Sequence, residues 1–274
     1  MLFRSWVFRN GGDFLKVMSG GGVASTFDPI DLNSPSLEEM KAAVQVANEY
    51  GGYVAIHGYT DAAYNKSLDA GVKSFEHGFL ISEETVKRMA KKGVWWSWQP
   101  YGSYNTFGKG NFPGWFTEDM RRKGALVAKG AVQVPKWMKK HGVKIVNGSD
   151  MFGWDNWPNA IVNVTYPVEI PDSPFSSLDA MKFSTSNAGQ MLHELSAPSR
   201  NPFKDAKLGV VEAGAWADIL IWNGDPTKDI KLILKEENLK LVMKDGKVYK
   251  NLLVDPTHES FRGGLKPVGH SWSM

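Results

Sequence analysis

The sequence predicts an α/β protein whose parallel strands and crossover helices form part of a (β/α)8 TIM-type barrel, followed by a small C-terminal β appendage. The first observation is that short apolar segments alternate with longer amphipathic segments along most of the 274 residues, which favours parallel strands joined by helices. The second is spacing: the predicted strand ends at Met18, His57, His77, Trp98 and Val146 lie 39, 20, 21 and 48 residues apart. A barrel of ~250 residues uses roughly 31 residues for each strand–helix unit, so each gap fits one unit.

The individual elements follow from local signals. The first strand is predicted at 13–18, and Ser36-Leu37-Glu38-Glu39 is a capping box that starts the next helix. That helix ends near Gly51, because glycine accepts the left-handed backbone of a helix C-terminus. Further strands are predicted at 53–57, 72–77, 94–98 and 144–146, and further helices at 65–69, 82–92 and 118–141, the last interrupted before Pro135.

The pattern changes after residue 150. A helix is predicted at 177–195, then a strand at 216–222 and a hairpin at 239–249 that turns at Asp245-Gly246. We therefore expect three parts: a barrel portion at 1–197, a small β portion at 198–255, and an irregular tail at 256–274.

Composition excludes several function classes. The chain has no cysteine, which excludes disulfides, thiolate metal sites and cysteine nucleophiles. Its 32 basic and 29 acidic residues leave a net charge of only +3, which argues against a nucleic-acid partner. No apolar run is long enough for a membrane span. The expected partner is a small-molecule substrate, and homo-oligomerisation is left open.

Four ionisable residues stand on the predicted strands or directly after them: Lys16, His57, His77 and Asp150. The carboxyl ends of barrel strands form one face, where active sites collect. Two histidines and an aspartate on that face are suitable ligands for a divalent metal such as zinc. Each residue alone also has a plain structural explanation, since a histidine can be a packing residue, a lysine can reach solvent, and an aspartate can cap a turn. The set of four favours the site.

The contexts KVMSGGG, VAIHGYT, EHG and NGSD around these four residues resemble the metal-dependent amidohydrolase superfamily. The similarity is closest to its imidazolonepropionase-like and prolidase-like branch, and it runs from about residue 9 to 254. The tail adds to the resemblance through three short motifs, Thr185-Ser186-Asn187-Ala188, Leu208-Gly209 and Gly214-Ala215-Trp216-Ala217-Asp218.

The resemblance implies roles for single residues. Lys16 matches the lysine that is carboxylated by carbon dioxide and bridges two metal ions, since an unmodified ammonium has no lone pair to offer. His57 and His77 match the ligands of the second metal, while Asp150 matches a ligand of the first metal that is also the general acid/base. Tyr59 and Trp154 are expected on the substrate side. The implied activity is hydrolysis of a C–N bond in a small amide, dipeptide or cyclic amide by metal-activated water, with one or two divalent ions, zinc first.

The chain departs from the family pattern at its start. The family opens with a His-x-His pair, which occurs nowhere in this sequence. Residues 1–12 are similar to the end of the third barrel helix, so we expect an N-terminally truncated barrel with about strands 4–8. A truncated, non-catalytic fragment that needs a partner chain is therefore the alternative function. The compartment stays open between cytoplasmic and periplasmic or secreted, because a signal peptide would lie in the missing part.

Two further motifs allow competing interpretations. Gly20-Gly21-Gly22 suggests a phosphate-binding loop, but no Gly-Lys-Ser/Thr follows. A substrate-side loop or a flexible segment is the preferred interpretation. Trp95, Trp96 and Trp98 would suit a sugar-binding module, although core packing is favoured because neighbouring strand residues point to opposite faces.

Overall fold

The computed structural model describes residues 2–151 and 156–253. Its strands are β1 (Leu15–Met18), β2 (Val54–Thr60), β3 (Ser74–Leu80), β4 (Trp95–Trp98), β5 (Lys144–Asn147), β6 (Ile219–Trp222), β7 (Leu239–Lys244) and β8 (Lys247–Asn251). Its α-helices are α1 (Leu2–Arg9), α2 (Leu37–Glu49), α3 (Asp61–Ala70), α4 (Glu83–Lys92), α5 (Glu118–Val127), α6 (Gln133–His141), α7 (Asn159–Thr165), α8 (Ser177–Ser184) and α9 (Ser186–Leu195). A π-helical segment, Tyr101–Gly108, follows β4.

Strands β1 to β5 form one parallel sheet in the order of the chain, with helices in the connections. This confirms the α/β class. A closed barrel of this type has eight strands, and the described residues contain five parallel ones. The predicted appendage is present as the antiparallel sheet β6-β7-β8.

Helix ends follow the signals in the sequence. Ser36 and Glu39 form the predicted capping box of α2, which satisfies backbone donors that a helix start leaves free. Helix α4 begins after Ser82, whose side chain accepts a hydrogen bond from the backbone of Thr85, and it ends at Gly93 with φ 62°. These contacts fix the connections that deliver each strand to the sheet.

Several predicted boundaries are wrong. Strands β2 and β3 continue three residues past His57 and His77, because Gly58 and Gly78 carry the chain onward without ending the pairing. The helix predicted at 118–141 is interrupted before Pro135, as expected: residues 128–132 separate α5 from α6. Pro135 lies in the first turn of α6, where it removes no needed donor. The helix predicted at 177–195 is divided in two at Thr185.

The division at Thr185 has a packing cause. The segment at Leu208-Gly209 packs so closely that a Cβ atom on Gly209 would lie 2.3 Å from the Thr185 carbonyl carbon. Thr185 itself leaves the helical region, with φ −127° and ψ −96°. A contact between residues so far apart in the chain is invisible to a local helix pattern.

The three tryptophans of β4 belong to the interior. Trp95, Trp96 and Trp98 are at most 1% exposed, and the rings of Trp96 and Trp98 stack at 5.3 Å. This confirms core packing and leaves no exposed sugar platform on β4. Within the described residues, no helix has the length and apolar character needed to span a bilayer. The boundary near residue 197 stays a prediction, and the tail at 256–274 lies outside the described residues.

Candidate active site

One cavity of about 380 Å³ contains most of the residues that the sequence singled out. The sheet explains why they meet: Lys16 pairs with Ala55, which lies two residues before His57. Residues two apart in a strand point to the same face, so Lys16 and His57 share a face. The predicted residues that line the cavity are Lys16, His57, Tyr59, His77 and Asp150. Trp154 lies outside the described residues.

Neighbouring strands bring the two histidines into contact. The ring centroids of His57 and His77 are 4.5 Å apart. The buried ring of Tyr59 stacks on His77 at 5.1 Å and meets His57 edge-on at 5.2 Å. The three rings therefore hold one another in place on the cavity floor.

His77 and Asp150 both adopt a left-handed backbone, with φ 71° and 48°. Such conformations are uncommon outside glycine and concentrate at functional sites. The His77 carbonyl accepts a hydrogen bond from the buried Trp96 ring nitrogen at 2.7 Å, which stabilises the unusual turn. His77 Nε2 lies 3.9 Å from Asp150 Oδ2.

Burial keeps both imidazoles neutral. It lowers the pKa of His57 to about 4, with the positive charge of Lys16 adding to the effect and the Gly21 carbonyl opposing it. It also lowers the pKa of His77 well below its usual range, with His57 and Lys16 contributing in the same direction. A neutral imidazole keeps one nitrogen lone pair free for a ligand.

Asp150 lies at the rim of the cavity, with about half (51%) of its side chain exposed. Partial desolvation raises the pKa of its carboxyl group, while the positive charge of Lys16 lowers it. Because His77 is neutral, its contact with Asp150 is not an ion pair at neutral pH. Asp150 is thus a carboxylate with access both to the cavity and to water.

Three polar residues near the site were missed: Glu76, Ser97 and Gln99. Glu76 pairs in register with His57 and Ser97, and its Oε2 accepts a hydrogen bond from Gln99 Nε2 at 3.3 Å. Burial raises the pKa of Glu76, and Lys16 opposes that shift. The alternation within SFEHGFL and WWSWQP was the available signal, since it places Glu76 and Ser97 on the face that His57 occupies.

Part of the cavity lining is an apolar wall. It was not predicted, because its residues come from the loop after β1, the π-helical segment and the stretch before α5 rather than from a strand. Phe116 packs on Trp115, with ring centroids 4.5 Å apart. The cavity therefore joins a polar floor to an apolar wall, whose members are Val23, Phe107, Pro113, Trp115 and Phe116.

This parallel-sheet arrangement can be compared with known proteins. The sequence model of the amidohydrolase family matches residues 7–249. The chain belongs to the amidohydrolase family. This confirms the resemblance that the sequence motifs indicated.

Among curated amidohydrolases, ochratoxinase from Aspergillus niger is 27% identical to this chain over 254 residues. The match covers 93% of this chain and 50% of ochratoxinase, so the chain spans about half the length of that relative.

Solved structures of amidohydrolases are also similar to this chain. An amidohydrolase crystal structure superposes with a TM-score of 0.79 at 28% identity, covering 92% of this chain and 58% of the other. A prolidase complexed with N-methylphosphonate-L-proline gives 0.77 at 26% identity, covering 91% and 58%. These similarities support the prolidase-like branch and the barrel class.

Family members generally bind divalent metals, so the donor set can be tested for fit. His57 and His77 offer neutral imidazoles and Asp150 offers a carboxylate within one cavity, which are donor types that suit one divalent ion. In 2–151 and 156–253, however, no three His, Cys, Asp or Glu side chains form a ready-made metal cluster. The donor chemistry fits one ion, and an unmodified Lys16 adds no ligand.

Proposed function

We propose that the cavity between the carboxyl ends of β1 to β5 hydrolyses C–N bonds in small amides, dipeptides or cyclic amides. The observation that carries this proposal is the meeting of His57, His77 and Asp150 in one cavity of an amidohydrolase-family chain. The curated relative named ochratoxinase and the prolidase structures support the amide class.

In this proposal, His57, His77 and Asp150 hold one divalent ion, with zinc as the first candidate. When bound, such an ion polarises the amide carbonyl and lowers the pKa of water. Carboxylation of Lys16, in which its neutral amine adds carbon dioxide and releases a proton, would turn it into a further ligand. Lys16 is exposed to solvent, which gives carbon dioxide access to the amine.

Asp150 is the proposed general acid/base. Its carboxylate takes the proton of the attacking water at Oδ2 and delivers it to the leaving amide nitrogen. The half-exposed position of Asp150 beside His77 supports this role, because the carboxylate reaches both the reacting group and solvent.

The remaining residues orient the substrate. Burial raises the pKa of Tyr59, so its phenol stays protonated and can donate a hydrogen bond. Trp154 stays proposed for the substrate side. The division into a barrel portion at 1–197 and a small β portion at 198–255 also stays a proposal. The apolar wall of the cavity excludes water from one side of the reacting amide.

A second candidate is a chain that is active only when paired with another polypeptide. Met18 is 51% exposed next to the cavity, and the chain spans about half of its curated relative. A partner that covers this part of the sheet would complete the walls of the site.

The test is a hydrolysis screen of the purified chain with N-acyl amino acids and Xaa-Pro dipeptides, after loading with zinc or manganese. We expect release of the free amine and its loss in Asp150→Asn. A metal-loaded, folded chain that releases no amine from any substrate would contradict hydrolysis by this chain alone. Recovery of activity with a co-purified partner chain would support the second candidate.

A further inference from the structure

The loop at 20–29 lies directly over His57. The backbone N–H groups of Ser19 and Gly20 both donate to the His57 carbonyl, at 2.8 and 3.2 Å. A Cβ atom on Gly22 would stand 3.6 Å from His57 Nε2. The glycine-rich segment is therefore part of the cavity lining, and its role as a substrate-side loop stays a prediction.

The same loop makes a hydrogen bond to the His57 ring. His57 Nε2 lies 3.1 Å from the Gly21 carbonyl oxygen. A carbonyl oxygen only accepts hydrogen bonds, so Nε2 must carry the hydrogen in this contact. In the neutral ring the lone pair is then on Nδ1. The position of the Gly21 carbonyl thus selects which nitrogen is free to bind a ligand.

The loop is anchored by Lys123, a lysine of α5 that is only 3% exposed. Its ammonium donates to the carbonyl oxygens of Ser25 at 2.7 Å and Asp28 at 2.9 Å, with a longer contact to Gly22 at 3.5 Å. Asp119 Oδ2 lies 3.1 Å from the same nitrogen. Three close acceptors match the three N–H groups of an ammonium, so this buried charge is fully satisfied.

Hydrogen bonds within the loop also stabilise it. Asp28 Oδ2 accepts a hydrogen bond from the Gly22 N–H at 3.0 Å, and Ser25 Oγ donates to the Gly22 carbonyl at 2.9 Å. Lys123 binds the backbone of both Ser25 and Asp28. The ammonium and the internal hydrogen bonds therefore fix the stretch that carries Gly21.

We propose that Lys123 is a positioning residue for the active site: it holds the 20–29 loop so that the Gly21 carbonyl keeps the hydrogen of His57 on Nε2 and leaves Nδ1 free as the ligand atom. Lys123 touches neither substrate nor metal, and it acts through the loop. A hydrogen bond to the second nitrogen of a ligating histidine commonly fixes its tautomer and its orientation. The proposal rests on the proposed function in that His57 is taken as a ligand.

The test is carried out on the full chain without substrate or metal, so an inactive enzyme would not imitate its failure. Proton–nitrogen correlation spectra of protein with ¹⁵N-labelled histidine rings report the tautomer of His57, and hydrogen–deuterium exchange reports the loop. In Lys123→Met we expect a mixture of His57 tautomers. We also expect amides at 20–28 to exchange about 10-fold faster or more, because the loop loses its buried anchor.

Two variants control for general effects. Arg122→Met removes the neighbouring cation, which binds the same Asp119 at 2.6 Å. Unlike Lys123, Arg122 donates no hydrogen bond to the described residues of the loop at 20–29. It should leave both readouts unchanged. Lys123→Arg keeps a buried donor and should restore most of the wild-type tautomer.

If Lys123→Met does not fold, Lys123→Gln removes the ammonium while it keeps a shorter amide donor, and it should change both readouts in the same direction. A folded Lys123→Met, or Lys123→Gln in its place, with wild-type exchange at 20–28 and a pure Nε2–H tautomer would overturn the proposal.

Discussion

The two sheets of this molecule are held together differently. In the parallel sheet β1 to β5, strands such as β2 and β4 are buried along most of their length. In the antiparallel sheet β6 to β8, Leu220 and Tyr249 are 55% and 60% exposed, and Leu241 is a buried exception at 8%. Of the two sheets, the parallel one contributes residues to the cavity, and none of the described residues of β6 to β8 lines it.

This difference predicts that the two sheets contribute unequally to the stability of the fold and to the geometry of the site. A parallel sheet covered on both sides gains its stability from packing and positions its strand ends rigidly. A small sheet with one weakly covered face depends more on its hairpin and on local hydrogen bonds. Substitutions in the parallel sheet should therefore cost more stability and disturb the site, whereas those in the small sheet should do neither.

The largest effect is expected for Trp96→Ala. Trp96 is fully buried, stacks on Trp98 and donates to the His77 carbonyl. Removing it should lower the free energy of unfolding by about 3–5 kcal/mol. The matched change Leu220→Ala in β6 should stay within about 0.5 kcal/mol. Urea unfolding measures both, and equal losses would break the proposed contrast between the sheets.

A substitution in the loop at 20–29 should have a smaller effect on stability. Gly21→Ala would place a Cβ atom 1.9 Å from the Pro29 carbonyl oxygen, so the backbone must move. We expect a loss of about 1–3 kcal/mol in stability, together with loss of amide hydrolysis. Gly114→Ala is the control, because its added Cβ would meet nothing within 4 Å. A Gly21→Ala protein with unchanged stability and activity would contradict the tight loop.

The hairpin of the small sheet should respond less. Asp218 accepts hydrogen bonds from Lys244 Nζ at 2.6 Å and from the Asp245 N–H at 2.8 Å. These partners lower its pKa. Because the ion pair is partly exposed, Asp218→Ala should cost less than about 1 kcal/mol and leave hydrolysis unchanged. Thermal unfolding and the amine-release assay check the two expectations separately.

The smallest effect is expected for the pH dependence of stability, at the contact between Glu83 of α4 and the end of α6. Hydrogen bonds from Lys140 and His141 lower the pKa of Glu83 to about 2, from 4.5. A lowered carboxyl pKa stabilises the folded state above pH 4.5, and this contribution is lost as the pH falls towards 2. Glu83→Gln should therefore unfold with a weaker dependence on pH in that range. A variant with the wild-type dependence would show that this contact contributes nothing.

The sequence was informative where a signal is local. Short apolar segments located all five parallel strands, and Ser36 with Glu39 marked the start of α2, because strand burial and helix capping depend on near neighbours. The site residues on β1 to β3 followed from the same pattern. The break at Thr185 and the contact of Lys123 with the loop at 20–29 depend on residues 23 or more positions apart, and no periodicity records them.

The central claim is that His57 and His77 act together as metal ligands. The most direct measurement is zinc titration of the purified chain by calorimetry, followed by metal analysis after dialysis. We expect one bound zinc ion in the wild type, its loss in the double variant His57→Gln/His77→Gln, and wild-type binding in the control His193→Gln, whose ring bonds to the Ala206 carbonyl in the α9 region. A double variant that binds zinc as the wild type does would contradict the claim.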